Sequence, residues 1–158
     1  MRNARSRTVL RKLVPGLLVA LLAAAPAAGE VVFGVRGGAY LDTSEPFAGL
    51  ELVAPLGRSG WSFNPNLELV LVDRGDLVTA NFDFLRRLPA RAGFDLWTGV
   101  GAAAVRRDPG RGRDAETDPG LNLLVGGSMK ARGFTPYAQL KLLLSDESDA
   151  VVAIGIRF

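Results

Sequence analysis

An all-β fold is predicted by three observations on this 158-residue sequence. Apolar and polar residues alternate with a period of two from residue 30 onward, which is the side-chain period of a β-strand. Gly, Pro, Asp and Ser interrupt this alternation about every 10 to 16 positions, as turns require. Each of the eight segments between the breaks is near or above the roughly 9–11 residues that a tilted strand needs to cross a bilayer. Together they predict an all-β, eight-stranded antiparallel up-and-down transmembrane β-barrel.

The eight predicted strands follow one another with short connections, and the segments between them contain no helix of useful length. In chain order the strands are residues 31–41, 47–57, 61–73, 77–87, 94–106, 120–131, 134–145 and 150–158.

Residues 1–28 form a separate element, a predicted signal peptide, and residues 29–158 form the predicted barrel domain. Five basic residues lie within residues 1–12, an apolar segment follows at 13–24, and small residues follow at 25–29. This order is that of a secretory signal peptide. The apolar segment is well short of the roughly 20 residues of a spanning helix. We therefore expect export of the chain and cleavage close to residue 28.

Charge and composition exclude several classes of protein. Five of the 19 Lys and Arg residues fall in the predicted signal peptide, so the remaining 14 face 16 Asp and Glu. The exported chain is then slightly acidic and has no clustered basic patch for phosphates, so we expect no nucleic-acid partner. The sequence has no Cys, which excludes structural disulfides and a lipoprotein anchor.

The two faces of the predicted strands differ in polarity. One face is almost wholly apolar, with residues such as Leu50, Leu69, Phe84, Leu123 and Ile154, and Thr98 is its main polar exception. The other face carries the charges together with Asn, Gln and many glycines. We predict a lumen ion-pair network of four acids and four bases, which are Arg36, Glu51, Glu68, Asp83, Asp95, Lys130, Lys141 and Arg157.

Alternation alone does not say which face meets water, because a soluble barrel with a dry interior gives the same pattern. A soluble periplasmic lipocalin-like binding barrel is therefore the alternative. Three features favour a polar interior: its many glycines suit a narrow lumen, its charges balance, and the apolar face is too long and continuous for a small soluble core. Buried ions need partners, and an apolar exterior with a polar lumen is the rule of transmembrane barrels.

The predicted connections differ in charge between the two ends of the barrel. With both termini periplasmic, the outward connections are residues 42–46, 73–76, 107–119 and 146–149, which are acidic with their flanks. The periplasmic connections are residues 57–60, 88–93 and 132–133, which carry arginines and no acid.

The chain ends in an alternating strand, Val151–Phe158, with a C-terminal aromatic residue. In this ending the sequence resembles small bacterial outer-membrane barrels typified by OmpX, OmpW and the membrane domain of OmpA. The segment Thr135–Lys141 is also similar to the outer membrane protein β-barrel domain group. The resemblance covers the whole exported chain and implies insertion in the outer membrane of a Gram-negative-type bacterium. It also implies that Phe158 is read by the barrel assembly machinery.

Candidate chemistry is sparse. The sequence has no His, which removes the Ser–His and His–Asp pairs that barrel hydrolases and proteases use. The carboxylate pairs Glu51 with Glu68 and Asp83 with Asp95 lie on neighbouring strands, but structural ion pairs explain them better than acid–base catalysis. The acidic outer connections follow no calcium-loop spacing. We therefore expect no enzyme, no cofactor and no metal.

Three classes of function are compatible with these sequence features. The first is a structural or interaction role in the cell envelope, by a monomer in contact with outer-membrane lipid and lipopolysaccharide. The second is a conduit for small or apolar solutes, as the OmpW resemblance implies. The third is a lipid-modifying enzyme, which the missing His disfavours. An eight-stranded barrel has a lumen that side chains can fill, so an open pore is not expected.

Overall fold

A computed structural model describes residues 30–158 of the chain, apart from residues 74, 91–92 and 111–113. The predicted signal peptide, residues 1–28, lies outside the described residues. The described part contains eight β-strands, which are β1 (Val32–Tyr40), β2 (Glu45–Pro55), β3 (Trp61–Val70), β4 (Asp76–Leu88), β5 (Phe94–Asp108), β6 (Glu116–Met129), β7 (Thr135–Leu144) and β8 (Asp149–Arg157).

The strands close into a barrel in sequence order. Each strand pairs antiparallel with the next, and β8 pairs antiparallel with β1. The backbone N–H of Phe158 donates to the Phe33 carbonyl at 2.8 Å just beyond the end of β8, which extends this closing seam. The predicted all-β, eight-stranded up-and-down barrel is confirmed. No helix among the described residues is long and apolar enough to cross a bilayer.

The strands differ from the prediction most at the hairpin of β5 and β6. The sequence predicted a polar connection over residues 107–119, but Arg107 pairs with Glu116 and the ladder continues to that point. The connection itself is therefore residues 109–115. Backbone hydrogen bonds do not require apolar side chains, so a ladder can continue past the apolar stretch into a polar hairpin.

The apolar face of the sheet lies on the outside of the barrel and the polar face lines the lumen, as the alternation predicted. Apolar residues on the exterior face are exposed, as at Leu50 and Leu123, while the charged face turns into the lumen. The polar exception on the exterior, Thr98, donates its hydroxyl to the Leu124 carbonyl at 3.1 Å. That bond satisfies the hydroxyl without water.

Pro65 interrupts the ladder between β2 and β3. The strand register is the same on both sides of it, but Leu52 does not pair with Pro65, nor Val53 with Asn64. Since Pro65 has no N–H, it cannot donate to the Leu52 carbonyl. The side-chain amide of Asn64 donates to that carbonyl instead, at 2.6 Å. Asn64 thus replaces the missing bond and makes proline tolerable within a strand.

The lumen has three layers. An apolar cluster fills the end near the predicted outward connections, and it consists of Tyr40, Phe47, Val70, Leu77, Ala103, Val105, Leu143, Val151 and Ala153. A second cluster of Leu85, Trp97, Leu124 and Tyr137 fills the end near the termini. Between them lies a layer of buried charged and amide side chains. The middle layer is where the predicted site residues meet.

Candidate functional site in the barrel lumen

Two buried glutamates are the centres of the middle layer. Glu51 on β2 and Glu68 on β3 both point into the lumen, and both side chains are fully buried. A carboxylate removed from water needs ionic or hydrogen-bonding partners to remain charged. Each glutamate has its own set of partners, and Arg36 contacts both.

Glu68 is contacted by three side chains from two other strands. The ammonium of Lys141 on β7 lies 3.0 Å from each carboxylate oxygen, and an Arg36 nitrogen lies 3.2 Å from Oε1. The Tyr40 hydroxyl donates to Oε2 at 2.7 Å and also lies 3.0 Å from the Thr79 hydroxyl. These contacts satisfy the carboxylate and tie β1 and β7 to β3 across the lumen.

Glu51 is held mainly by Arg157. The Arg157 Nε lies 2.8 Å from Oε1 and its Nη2 lies 3.3 Å from Oε2, which is a bidentate arrangement. The Asn64 amide donates to Oε2 at 3.1 Å. The Arg157 guanidinium also lies 4.8 Å from the Trp97 ring centroid and 4.2 Å from that of Tyr137. Cation–π contacts therefore link the ion pair to Trp97 and Tyr137 of the second cluster.

Arg36 lies between the two glutamates. Its nitrogens are 3.7 Å from Glu51 and 3.2 Å from Glu68. None of its side-chain nitrogens makes an aligned hydrogen bond to a described residue. Arg36 therefore places its positive charge between two carboxylates and forms no bidentate hydrogen bond with either.

Asp83 is stabilised by amides. Asn66 donates to Oδ2 at 3.0 Å and Asn122 donates to Oδ1 at 2.8 Å. Asn81 accepts from Asn122 at 2.8 Å and from Lys141 at 3.3 Å, which connects this group to Glu68. Six of the predicted network residues therefore meet in one layer, and they balance at three acids and three bases.

The other two predicted members lie elsewhere, and the prediction is corrected for them. Asp95 lies at the start of β5, and its side chain is 24 % exposed. Lys130 follows the end of β6, and its side chain is 69 % exposed. They lie 3.8 Å apart at the rim, and Arg87 lies at the same distance from Asp95. Alternation predicts which face of the sheet a residue lies on, but not its depth along the barrel axis. Both residues therefore lie on the lumen face without reaching the middle layer.

The glycines of the lumen face leave room for this layer. A Cβ on Gly34 would lie 2.8 Å from Glu51 Oε1, and one on Gly126 would lie 2.5 Å from the Trp97 indole. Both distances are too short for non-bonded atoms. The glycine-rich lumen face predicted from the sequence therefore accommodates large side chains from the neighbouring strand.

Two cavities lie at opposite ends of the lumen. The larger, about 190 Å³, opens near the termini and is lined by Arg157, Trp97, Asp95 and Ser128 among others. The smaller, about 60 Å³, lies at the other end beside Tyr40 and Asp149. They have no lining residue in common, and the charged layer lies between them.

Sequence reasoning missed the partners that complete the cluster. Neither Tyr40 nor Trp97 was among the predicted network residues. Both lie at alternating positions on the lumen face, so strand parity alone could have placed them there. Among the described residues there is no group of three His, Cys, Asp or Glu that could hold a metal. The arrangement is one of balanced acidic and basic side chains in mutual contact.

Comparisons of the sequence with known proteins find no match. No family model matches the chain. No curated protein matches it by sequence either.

Solved structures similar to the chain include two outer-membrane barrels. The N-terminal β-barrel domain of Pseudomonas aeruginosa OprF superposes with a TM-score of 0.68 at 12% identity, covering 81% of this chain and 95% of that one. Neisserial surface protein A (NspA) superposes with a TM-score of 0.61 at 12% identity, covering 80% of this chain and 94% of that one. The chain therefore has the fold of the small eight-stranded outer-membrane β-barrels.

Proposed function

We propose that this chain is an integral outer-membrane β-barrel protein whose closed lumen gives it a structural or interaction role in the cell envelope. The observation that carries the proposal is the inverted polarity of the sheet. Large apolar side chains are exposed around the exterior, while the six acidic and basic side chains of the middle layer are buried inside. Such an exterior is unfavourable in water and favourable in lipid.

The height of the apolar exterior fits a bilayer. On β4, the exterior residues between Asp76 and Arg86 are uncharged, and they include Phe82 and Phe84. Ten residue steps of about 3.3 Å, tilted by about 40°, span roughly 25 Å. That equals the roughly 25 Å apolar band of outer-membrane barrels. A soluble lipocalin-like barrel would have no use for such a band on its outside.

The filled lumen favours a structural or interaction role over a conduit. A solute would have to displace Lys141 or Arg36 from Glu68, and each broken contact leaves a buried charge without its partner. The cavities at the two ends are separated by the charged layer, so they do not form a continuous path for a solute. The acidic connections at one end and the basic ones at the other give the barrel two different surfaces for envelope lipids or lipopolysaccharide.

Membrane fractionation and bilayer conductance test this proposal together. We expect the exported protein in the outer-membrane fraction, resistant to extraction with carbonate or urea. We also expect no steady channels after insertion into planar bilayers. Recovery as a soluble periplasmic protein would overturn the membrane assignment, and reproducible single-channel steps would overturn the closed lumen in favour of the conduit.

A further inference from the structure

Arg86 marks the lower edge of the apolar exterior. It lies on the outer face of β4, two residues beyond Phe84, and it pairs with Trp61 across the β3–β4 ladder. An Arg on the lipid-facing side of a barrel costs about 2–4 kcal/mol at the midplane but only about 0–1 kcal/mol near the interface. Its position is therefore that of the phospholipid headgroups on the periplasmic side.

The turn between β2 and β3 holds the Arg86 guanidinium in place. One of its terminal nitrogens donates to the Ser59 carbonyl, and its centre lies 5.6 Å from the centroid of the Trp61 ring. A Cβ on Gly60 would lie 3.1 Å from the same terminal nitrogen, so the glycine allows this close approach. Two contacts thus hold the guanidinium on the surface, and the missing side chain of Gly60 leaves room for them.

No described carboxylate neutralises this guanidinium. The nearby rim bases differ in this respect, since Arg87 and Lys130 both approach Asp95. A guanidinium has five N–H donors, and Ser59 accepts from one of its nitrogens. The remaining donors have no partner among the described residues. An oriented guanidinium with free donors matches the oxygens of a phosphate group.

The surface above Arg86 suits an acyl chain. Phe63, Phe82 and Phe84 form a group of aromatic rings on the same two strands, with centroids 6.5 Å apart for Phe63 and Phe82 and 5.2 Å apart for Phe63 and Phe84. The phosphate-binding guanidinium and the apolar surface are therefore adjacent, just as the phosphate and the acyl chains are adjacent in a phospholipid.

From this juxtaposition we infer that Arg86, Trp61 and the Phe63–Phe82–Phe84 group form a docking site for one anionic phospholipid of the periplasmic leaflet. The inference rests on the proposed membrane location. Arg86 binds the phosphate, Trp61 orients the guanidinium at headgroup depth, and the phenylalanines contact the acyl chains. The site selects an anionic headgroup because its positive charge is not neutralised by the protein.

Quenching of tryptophan fluorescence by brominated lipids tests the site in the complete exported chain. The protein is reconstituted in phosphatidylcholine vesicles that contain brominated phosphatidylglycerol or, at equal mole fraction, brominated phosphatidylcholine. Trp61 is 38 % exposed on the exterior, whereas Trp97 is buried in the lumen. A Trp61→Phe variant assigns the quenched signal. We expect about a fivefold preference of the Trp61 site for phosphatidylglycerol, the scale of one basic residue at an anionic surface.

Arg86→Gln should abolish the preference, whereas Arg87→Gln should retain it. The two variants remove the same charge from adjacent residues, but Arg87 belongs to the lumen face and approaches Asp95. Migration of unboiled samples on a gel shows that both variants are folded.

Each other outcome has a distinct meaning. Equal quenching by both brominated lipids in the wild type, or equal loss in both variants, would overturn the specific site and leave the membrane location standing. Loss of the preference on adding inorganic phosphate, but not on adding sodium chloride of equal ionic strength, would also overturn it, because the ligand would then be the free ion. Absence of quenching by either lipid would instead overturn the proposed membrane location.

Discussion

The exterior of the barrel exposes large apolar side chains, whereas its lumen buries charged ones, although the same eight strands supply both faces. Ile154 is 65 % exposed on β8, and Glu68 on β3 is 0 % exposed. A soluble protein has the opposite distribution. In the proposed membrane location, contact of the apolar exterior with lipid holds the barrel in the bilayer, while polar contacts determine how the strands fit together inside.

Both faces oppose a shift of register. A slip by one residue moves every side chain of a strand to the other face. On β2 it would place Glu51 in lipid and Leu50 among the charges of the lumen. The apolar exterior and the ion-pair layer therefore specify the same register independently.

The largest effect is expected from breaking the lumen layer at Glu68. Glu68→Ala removes the carboxylate that Lys141, Arg36 and Tyr40 contact, and it leaves two cations buried without this partner. We expect a loss of about 3–5 kcal/mol in the free energy of unfolding. Urea unfolding in lipid vesicles, followed by tryptophan fluorescence, measures it.

The matched control for that variant is Glu147→Ala. Glu147 forms an ion pair with Arg107 at 2.5 Å, but its side chain is 68 % exposed. An exposed ion pair contributes about 0–1 kcal/mol. Equal losses in the two variants would mean that burial of the lumen charges does not matter to stability.

The next largest effect is expected on the exterior. Leu50 lies halfway along β2 and is 53 % exposed, so Leu50→Arg places a charge near the middle of the apolar band. We expect a loss of about 2–4 kcal/mol. Leu71→Arg, beyond the end of β3, should have a much smaller effect because Leu71 lies near the edge of that band. The same unfolding titration measures both, and a cost independent of depth would contradict a lipid-facing exterior.

A smaller effect is expected at Asn64, whose side chain replaces a missing backbone hydrogen bond of the sheet. Asn64→Ala leaves the Leu52 carbonyl without its donor and should cost about 1–3 kcal/mol. Pro65→Ala restores a backbone N–H opposite that carbonyl. In the Pro65→Ala background, Asn64→Ala should therefore cost less, and the difference is the coupling that a double-mutant cycle reports. Strictly additive effects would show that the two residues do not share this carbonyl.

The smallest effect on stability is expected at the C-terminus. The Phe158 side chain is 64 % exposed, while its backbone N–H bonds to Phe33. Phe158→Ala keeps that backbone bond and removes an apolar side chain only at the edge of the apolar exterior, so the free energy of unfolding in vesicles should fall by no more than about 1 kcal/mol. If the assembly machinery reads this residue, the folded yield in cells should nevertheless fall. An unchanged cellular yield, judged by migration of unboiled samples, would remove the proposed signal.

The alternation of the sequence was sufficient to predict the eight strands and their faces. Each strand keeps the period of two, and the breaks contain residues that suit turns. The extension of β5 to Asp108 could not be predicted in this way. Its last residues are charged, and polar residues in a solvated ladder carry no alternation of hydrophobicity.

The lumen site was predictable in composition but not in pairing. The sequence placed Glu51, Glu68 and Lys141 on one face, and the structure brings them together. It could not tell that Arg157 pairs with Glu51, or that Asp95 remains at the rim. Those facts depend on strand register and on the stagger around the closed barrel, which bring residues distant in sequence to the same depth.

The central claim is that the apolar face meets lipid, and a single-cysteine experiment tests it most directly. The sequence has no Cys, so Leu50→Cys introduces a unique site for an environment-sensitive fluorophore. The matched control is Ser59→Cys, in the exposed turn between β2 and β3. Both labelled proteins are reconstituted in vesicles and exposed to a nitroxide-bearing lipid or to iodide in the buffer.

The account predicts that the fluorophore at position 50 is quenched by the nitroxide-bearing lipid and protected from iodide, and that the one at position 59 is more accessible to iodide. A labelled Leu50→Cys protein that remains in aqueous solution, with a fluorophore that neither quencher reaches, would contradict the account. The apolar face would then be the core of a soluble protein.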